Sequence, residues 1–185
     1  ISEQPGGKRV DFRNLLTVTI DGEDARDLDD AITLSKKDEK YYLGVHIADV
    51  AHYVKEDSPL DKEALERATS VYLADRVIPM LPRELSNGIC SLNAGTDRLA
   101  MSCMMTFDVN GNVLDHTITE SVICVDERMS YTGVKAILEG QEHPEGERED
   151  IRALCFLMKE AAAILKEKRR KRGAIDFDFP ESKII

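Results

Sequence analysis

No apolar run in this 185-residue chain approaches the roughly 18 residues that a membrane-crossing helix needs, so no membrane partner is expected. Residues 1–13 are polar and contain glycine, without the apolar stretch of a secretory signal. There is no internal repeat and no low-complexity tract. The four cysteines, Cys90, Cys103, Cys124 and Cys155, are widely spaced, form no CxxC pair and lack the spacing of zinc ligands. Free thiols in apolar neighbourhoods point to a reducing compartment, the cytoplasm. Basic residues are in deficit, 25 against 35 acids, for a net charge of −10. Taken alone, that balance argues against a nucleic-acid surface, because phosphate contacts need Lys and Arg. The charge is uneven, however. Acids gather at 21–30 and 142–150, and bases at 166–172, so individual sites outweigh the total.

The length suits one domain or one large piece of a larger one. The chain begins at Ile1 rather than Met and ends on the apolar pair Ile184-Ile185 after a strand pattern, which predicts a fragment of a longer protein. Residues 1–13 read as an irregular lead-in. Leu15–Ile20 alternates as a strand. Ala31–Ser35 and Tyr41–Val50 read as strands around the polar turn Lys36–Lys40. Ser58-Pro59 opens a helix with Asp61 in its first turn and an apolar face of Leu60, Ala64, Leu65 and Ala68. Val71–Pro82 carries Pro79 and Pro82 and should be extended and irregular. Arg83–Cys90 reads as a short helix. Leu99–Val109 and Asn112–Val125 form a hairpin at Asn110-Gly111. Thr132–Leu138 is a short helix closed by Gly140. Asp150 caps the longest helix, about residues 151–172, with a buried stripe of Ile151, Leu154, Cys155, Met158, Ala161, Ala162 and Leu165, ended by Gly173. Ala174–Phe179 alternates apolar and acidic residues as a final strand. The fold class is α+β, a mostly antiparallel sheet with flanking helices.

Six carboxylates fall within ten residues: Asp21, Glu23, Asp24, Asp27, Asp29 and Asp30, offset in sequence only by Arg26. Like charges this close repel and raise one another's pKa unless a cation sits among them. A hard divalent cation with oxygen ligands is the natural neutraliser. Four of the acids, Asp21 and then Asp27-Leu28-Asp29-Asp30, lie between two strands. That context suits a Mg²⁺ site for phosphodiester chemistry, where Mg²⁺ takes one or two carboxylates, waters and phosphate oxygens. Adjacent Asp29 and Asp30 cannot face one point in an extended strand, so a turn is implied. A solvated acidic loop is the bland alternative. A calcium loop of the EF-hand type does not fit, because Gly22 precedes the acids.

The stretch Thr19-Ile20-Asp21-Gly22-Glu23-Asp24-Ala25-Arg26-Asp27-Leu28-Asp29-Asp30-Ala31 resembles the signature of the RNB catalytic domain shared by ribonuclease II and ribonuclease R. Gly44–Val50, Thr69–Pro82, Leu85–Asn93 and Arg172–Phe177 agree with the same family in the same order. The form His46-Ile47-Ala48-Asp49-Val50 is more similar to ribonuclease R. The resemblance covers nearly the whole chain, 1–185, as a single partial RNB domain whose later half lies beyond it. It implies a hydrolytic exoribonuclease that degrades RNA from a single-stranded 3′ end to nucleoside 5′-monophosphates, dependent on Mg²⁺ with Mn²⁺ as a substitute, and it implies no protein partner. By the motif, Asp21 and Asp30 would hold the metal directly and Asp27 would support the cluster. Asp29 would be the carboxylate on which the chemistry depends most. Tyr72 matches the aromatic residue that holds the 3′-terminal nucleotides, and Phe177 matches a second stacking residue. The family's later segment carries an arginine-rich motif near the scissile phosphate, and cold-shock and S1 modules flank the domain. The chain alone is therefore expected to show little or no activity.

Each candidate has a plainer reading. A tyrosine between Val71 and Leu73, or a phenylalanine in an alternating strand, is ordinarily core. His46 and His52 invite a general-base role, but a two-metal site needs no histidine, and a histidine in an apolar strand is ordinarily structural. The basic run 166–172 is favourable charge at a helix C-terminus, with Lys171 and Arg172 as the candidate RNA contacts. Two function classes stand: the exoribonuclease, and a metal- or RNA-binding module without turnover.

Overall fold

One seven-stranded sheet forms the centre of the computed structural model. The structure describes residues 9–73, 75–146 and 148–175. The strands are β1 (Val10–Asp11), β2 (Thr17–Asp21), β3 (Asp30–Lys37), β4 (Lys40–Ala48), β7 (Asp97–Asp108), β8 (Val113–Cys124) and β9 (Glu127–Ser130). They lie in the order β1-β8-β7-β4-β3-β2-β9. The interior pairs are antiparallel, and the two outer pairs, β1 with β8 and β2 with β9, are parallel. A separate two-stranded ribbon joins β5 (Val71–Tyr72) to β6 (Val77–Ile78). The α+β, mostly antiparallel reading holds.

Local chemistry explains the hairpins. Lys37 pairs with Lys40, so the β3–β4 turn is the two residues Asp38 and Glu39, both left-handed at φ 49° and 60°. That geometry matches the right-handed twist of the strands it joins. The turn is tighter than the five residues expected. At the β7–β8 turn the Asp108 carboxylate accepts from the Asn110 and Asn112 amides, and Gly111 takes φ +74°.

One face of the sheet packs on α3 (Tyr131–Leu138) and α4 (Glu149–Lys171), burying Val18, Leu34, Tyr41, Phe107, Met129, Ile137, Ile151, Leu154 and Cys155. A second core, with Leu28, Ala31, Ala48, Cys90, Leu92, Ala100, Ile123 and Val125, packs with Phe12, Val50, Tyr53, Leu85 and Ile89. A buried polar row crosses five strands on the face of Ala31 and Ala48. Thr17 bonds Thr33 at 2.8 Å, Thr33 bonds His46 at 3.0 Å, His46 bonds Ser102 at 2.6 Å and Ser102 bonds Ser121 at 2.6 Å.

Several expectations need correction. In α2 (Pro59–Arg67) the Ser58 cap is present, its hydroxyl accepting from the Asp61 amide at 3.2 Å. But no residue of that helix is fully buried: Leu60 and Ala64 are half-buried and Leu65 is 79% exposed, so the anticipated apolar face is only partly covered. Asp150 does not cap α4. It lies inside the first turn, paired with Arg148 at 2.7 Å, because the helix starts at Glu149, two residues before the expected 151. Ala162 is exposed rather than part of the α4 stripe. Residues Glu84–Ile89 form a π-helix, and α1 (Val50–Tyr53) adds one short turn. The strand expected at 174–179 lies outside the described residues beyond Ile175.

Candidate active site

The acid cluster becomes a short connection between antiparallel neighbours. Asp21 is the last residue of β2 and Asp30 the first of β3, so 22–29 must turn the chain within one edge of the sheet. Leu28 anchors this loop. It is buried in the second core, while Glu23, Asp24, Asp29 and Asp30 are exposed and Asp21 and Asp27 are half-buried. Burying one leucine between charged neighbours forces those neighbours outward. The turn itself lies earlier, at Glu23-Asp24, while Asp29 and Asp30 run straight into β3, with the Asp29 carbonyl accepting from Ala48 N–H.

The loop's backbone is tied at almost every residue. Ala25 N–H donates to Gly22 C=O at 3.0 Å, Leu92 N–H to Leu28 C=O at 2.9 Å and Ala48 N–H to Asp29 C=O at 2.9 Å. The buried Ser91 hydroxyl donates to Arg26 C=O at 2.9 Å and accepts from Leu28 N–H at 3.1 Å. It therefore grips both residues that flank Asp27. From β9, Arg128 Nη2 donates to Glu23 C=O at 2.9 Å and Ala25 C=O at 2.7 Å.

The carboxylates feel one another. Loss of solvation raises the Asp21 carboxyl above the usual carboxylate range, Asp30 raises it further, and the Arg128 charge partly offsets both. Asp29 is raised by loss of solvation and then by Asp27 and Asp30. Only part of this water is lost, since Asp29 is exposed as a residue. Tyr72 is brought to the cluster from the β5–β6 ribbon. Its hydroxyl donates to Asp27 Oδ2 at 3.1 Å, and the residue is 67% exposed. The hydrogen bond to the Asp27 carboxylate, then that charge, raises the phenol above its ordinary value.

The four acids and Tyr72 therefore lie together. Phe177 lies outside the described residues. His46 is buried in the polar row, and His52 lies beside Arg9 at 3.3 Å. The basic run is at the other end of the sheet: Lys168 Nζ donates to Gly111 C=O at 2.8 Å, in the β7–β8 turn. The eight-residue β3, roughly 23 Å long, separates the two ends. Lys171 and Arg170 pair with Glu167 there. All four cysteines are free, Cys90 and Cys155 buried and Cys103 and Cys124 half-buried.

Ser91 and Arg128 escaped the sequence reading. Ser91 stands within the stretch Leu85–Asn93, but nothing in its neighbours points to residues 26 and 28. For Arg128 the only signal was the demand for a cation among six acids, and in sequence that pointed to Arg26, which is exposed.

The donor set suits a hard divalent cation, since its oxygens are all carboxylate and their mutual repulsion is what a cation relieves. Among the described residues no three His, Cys, Asp or Glu side chains already converge as a metal cage. Mg²⁺ does not require one, because it takes one or two carboxylates and completes its shell with water and phosphate oxygen. The residues therefore fit such an ion.

The RNB domain profile matches residues 9–185, and the chain belongs to the RNB-domain family. It is 52% identical over 178 residues to ribonuclease R 1 of Lactococcus lactis, covering 96% of this chain and 22% of that protein. It is 53% identical over 179 residues to ribonuclease R of Thermotoga maritima, covering 96% of this chain and 25% of that protein. The apo form of Mycoplasma genitalium RNase R superimposes with a TM-score of 0.89 at 34% identity, over 96% of this chain and 28% of that one. The same enzyme has been solved with double-stranded RNA and with ribose-methylated single-stranded RNA. The chain thus spans about a quarter of the length of the curated relatives it matches. No helix among the described residues is long and apolar enough to cross a membrane.

Proposed function

We propose that this chain is the acidic wall of the active site of a hydrolytic 3′→5′ exoribonuclease that releases nucleoside 5′-monophosphates from single-stranded RNA ends. The observation that carries the reading is the meeting of an exposed aromatic ring with the acid loop, Tyr72 bonded to Asp27. Family membership and the ribonuclease R relatives support it. The ring supplies a stacking surface for a terminal base, a contact worth about 1–3 kcal/mol per base. Asp21 and Asp30, at the ends of two paired strands, would hold Mg²⁺ or Mn²⁺, and Asp27 would support them while it orients Tyr72. Asp29 would orient the attacking water in line with the scissile phosphate. When bound, the ion supplies the positive charge that a phosphodiester displacement needs. The four free cysteines support a cytoplasmic setting.

The test is digestion of a 3′-tailed single-stranded RNA with Mg²⁺, comparing the 185-residue chain with a form extended past residue 185. The extended form should shorten the RNA from its 3′ end and release 5′-monophosphates. Asp29→Asn should abolish this, and the short chain should do little. Degradation that survives Asp29→Asn sinks the assigned site. RNA binding by the extended form without shortening favours a module that binds and does not turn over.

A further inference from the structure

Arg128 bears on the acid loop through the Asp21 carboxyl, yet its short contacts there are to backbone carbonyls. One nitrogen, Nη2, reaches Glu23 C=O at 2.9 Å and Ala25 C=O at 2.7 Å, across 105 and 103 residues of sequence. The register explains how it gets there. Arg128 lies opposite Thr19 in the parallel β2–β9 pair, two residues before β2 ends at Asp21, so its side chain starts beside the point where the loop departs. A loop that carries this much negative charge tends to open by self-repulsion. An arginine paired with one of the acids would counter the repulsion but would occupy the carboxylate oxygens that a cation or a phosphate-bound water needs. Holding carbonyls instead leaves those oxygens free, while the guanidinium charge still acts on Asp21. Ser91 holds the other half of the same loop, at Arg26 and Leu28.

We propose that Arg128 is a positioning residue for the reaction: it fixes the first half of the acid loop, and with it the placement of Asp21 relative to Asp27, Asp29 and Asp30, without touching substrate. The kinetic part rests on the exoribonuclease reading, and the structural part does not. Lysine at this position keeps the charge but presents a single ammonium to two carbonyls, whereas methionine keeps only the stem.

The experiment uses the full-length protein with Arg128→Met and Arg128→Lys. Amide hydrogen exchange is followed by mass spectrometry in residues 22–30 and, as an internal reference, in the central strand 40–48. Arg128→Met should speed exchange in 22–30 by about tenfold and leave 40–48 at the wild-type rate. On single-stranded RNA it should lower kcat by about tenfold or more, with KM within about twofold. Arg128→Lys should fall between wild type and Arg128→Met on both readouts. Wild-type exchange in 22–30 for Arg128→Met overturns the proposal. So does exchange that rises equally in 40–48, which would make Arg128 a general structural residue. If the full-length protein proves not to degrade RNA, the function proposed above fails, and the exchange comparison still decides whether Arg128 holds the loop.

Discussion

Lowering the pH from about 7.5 to about 5 should destabilise this fold by about 2 kcal/mol through one side chain, His46. The imidazole is fully buried in the centre of the sheet, between the Thr33 and Ser102 hydroxyls. Burial pushes its pKa from 6.5 down to about 4. The neighbouring hydroxyls can turn to accept from a charged ring, so the penalty comes from lost solvation rather than broken hydrogen bonds. The sign follows from linkage. The unfolded chain takes up the proton first, near its ordinary value, while the folded ring resists until about 4. The His46 contribution is complete above the unfolded pKa and falls by about 1.4 kcal/mol per pH unit as the pH drops through the window between the two values. Asp21 and Asp29, both raised, act in the opposite direction, because the folded state holds their protons more tightly. Urea unfolding of wild type and His46→Gln across this range separates the two effects, since only the histidine term differs. The stability difference between the two proteins should shift by about 2 kcal/mol over the range. A difference that stays constant to within about 0.5 kcal/mol would refute the assignment of a neutral, solvent-stripped His46.

Ser91→Ala should lower stability by about 1–3 kcal/mol, because it leaves the Leu28 N–H buried without its partner. At a few degrees per kcal/mol for a chain of this size, the thermal midpoint should fall measurably, and an unchanged midpoint would mean the loop is held elsewhere. Tyr72→Ala should weaken binding of single-stranded RNA by about 1–3 kcal/mol, measured by fluorescence anisotropy with the full-length protein. Tyr72→Phe keeps the ring and loses only the Asp27 hydrogen bond, so its affinity should stay within about twofold of wild type. Equal losses in the two variants would assign the contact to the hydroxyl rather than the ring.

Much of the sheet was legible in the residues. Asn110-Gly111 marks a hairpin because glycine accepts the left-handed turn, and Gly111 does so at φ +74°. Ser58-Pro59 marks a helix start because the serine oxygen and the proline φ both suit a first turn. The same helix shows the limit of periodicity. Leu60, Ala64 and Leu65 share a face by spacing, but spacing cannot say how far another element covers it: Leu60 and Ala64 are half-buried and Leu65 is exposed. Asp150 shows a second limit. An acid near a helix start serves equally as a cap or as a first-turn charge, and the pairing with Arg148 makes it the latter. The parallel outer pairs were not legible either, because they join strands whose sequences carry no mark of their neighbours.

The candidate site divides along the same line. Crowded charge and the need for a turn are properties of ten consecutive residues, whereas the burial of Leu28 depends on partners such as Cys90 and Leu92. Repulsion and solvation act over that distance whatever surrounds it. Which groups meet those acids depends on the register of strands far apart in the chain. Tyr72 reaches Asp27 across 45 residues, Ser91 reaches Leu28 and Arg26 across 63 and 65, and Arg128 reaches Ala25 and Glu23 across 103 and 105. A hydrogen bond demands placement within a few tenths of an ångström, and no local preference along the chain sets a distance between segments that far apart. The acids could be read from the string of residues, whereas the clamp that holds them exists only once β2 and β9 lie side by side.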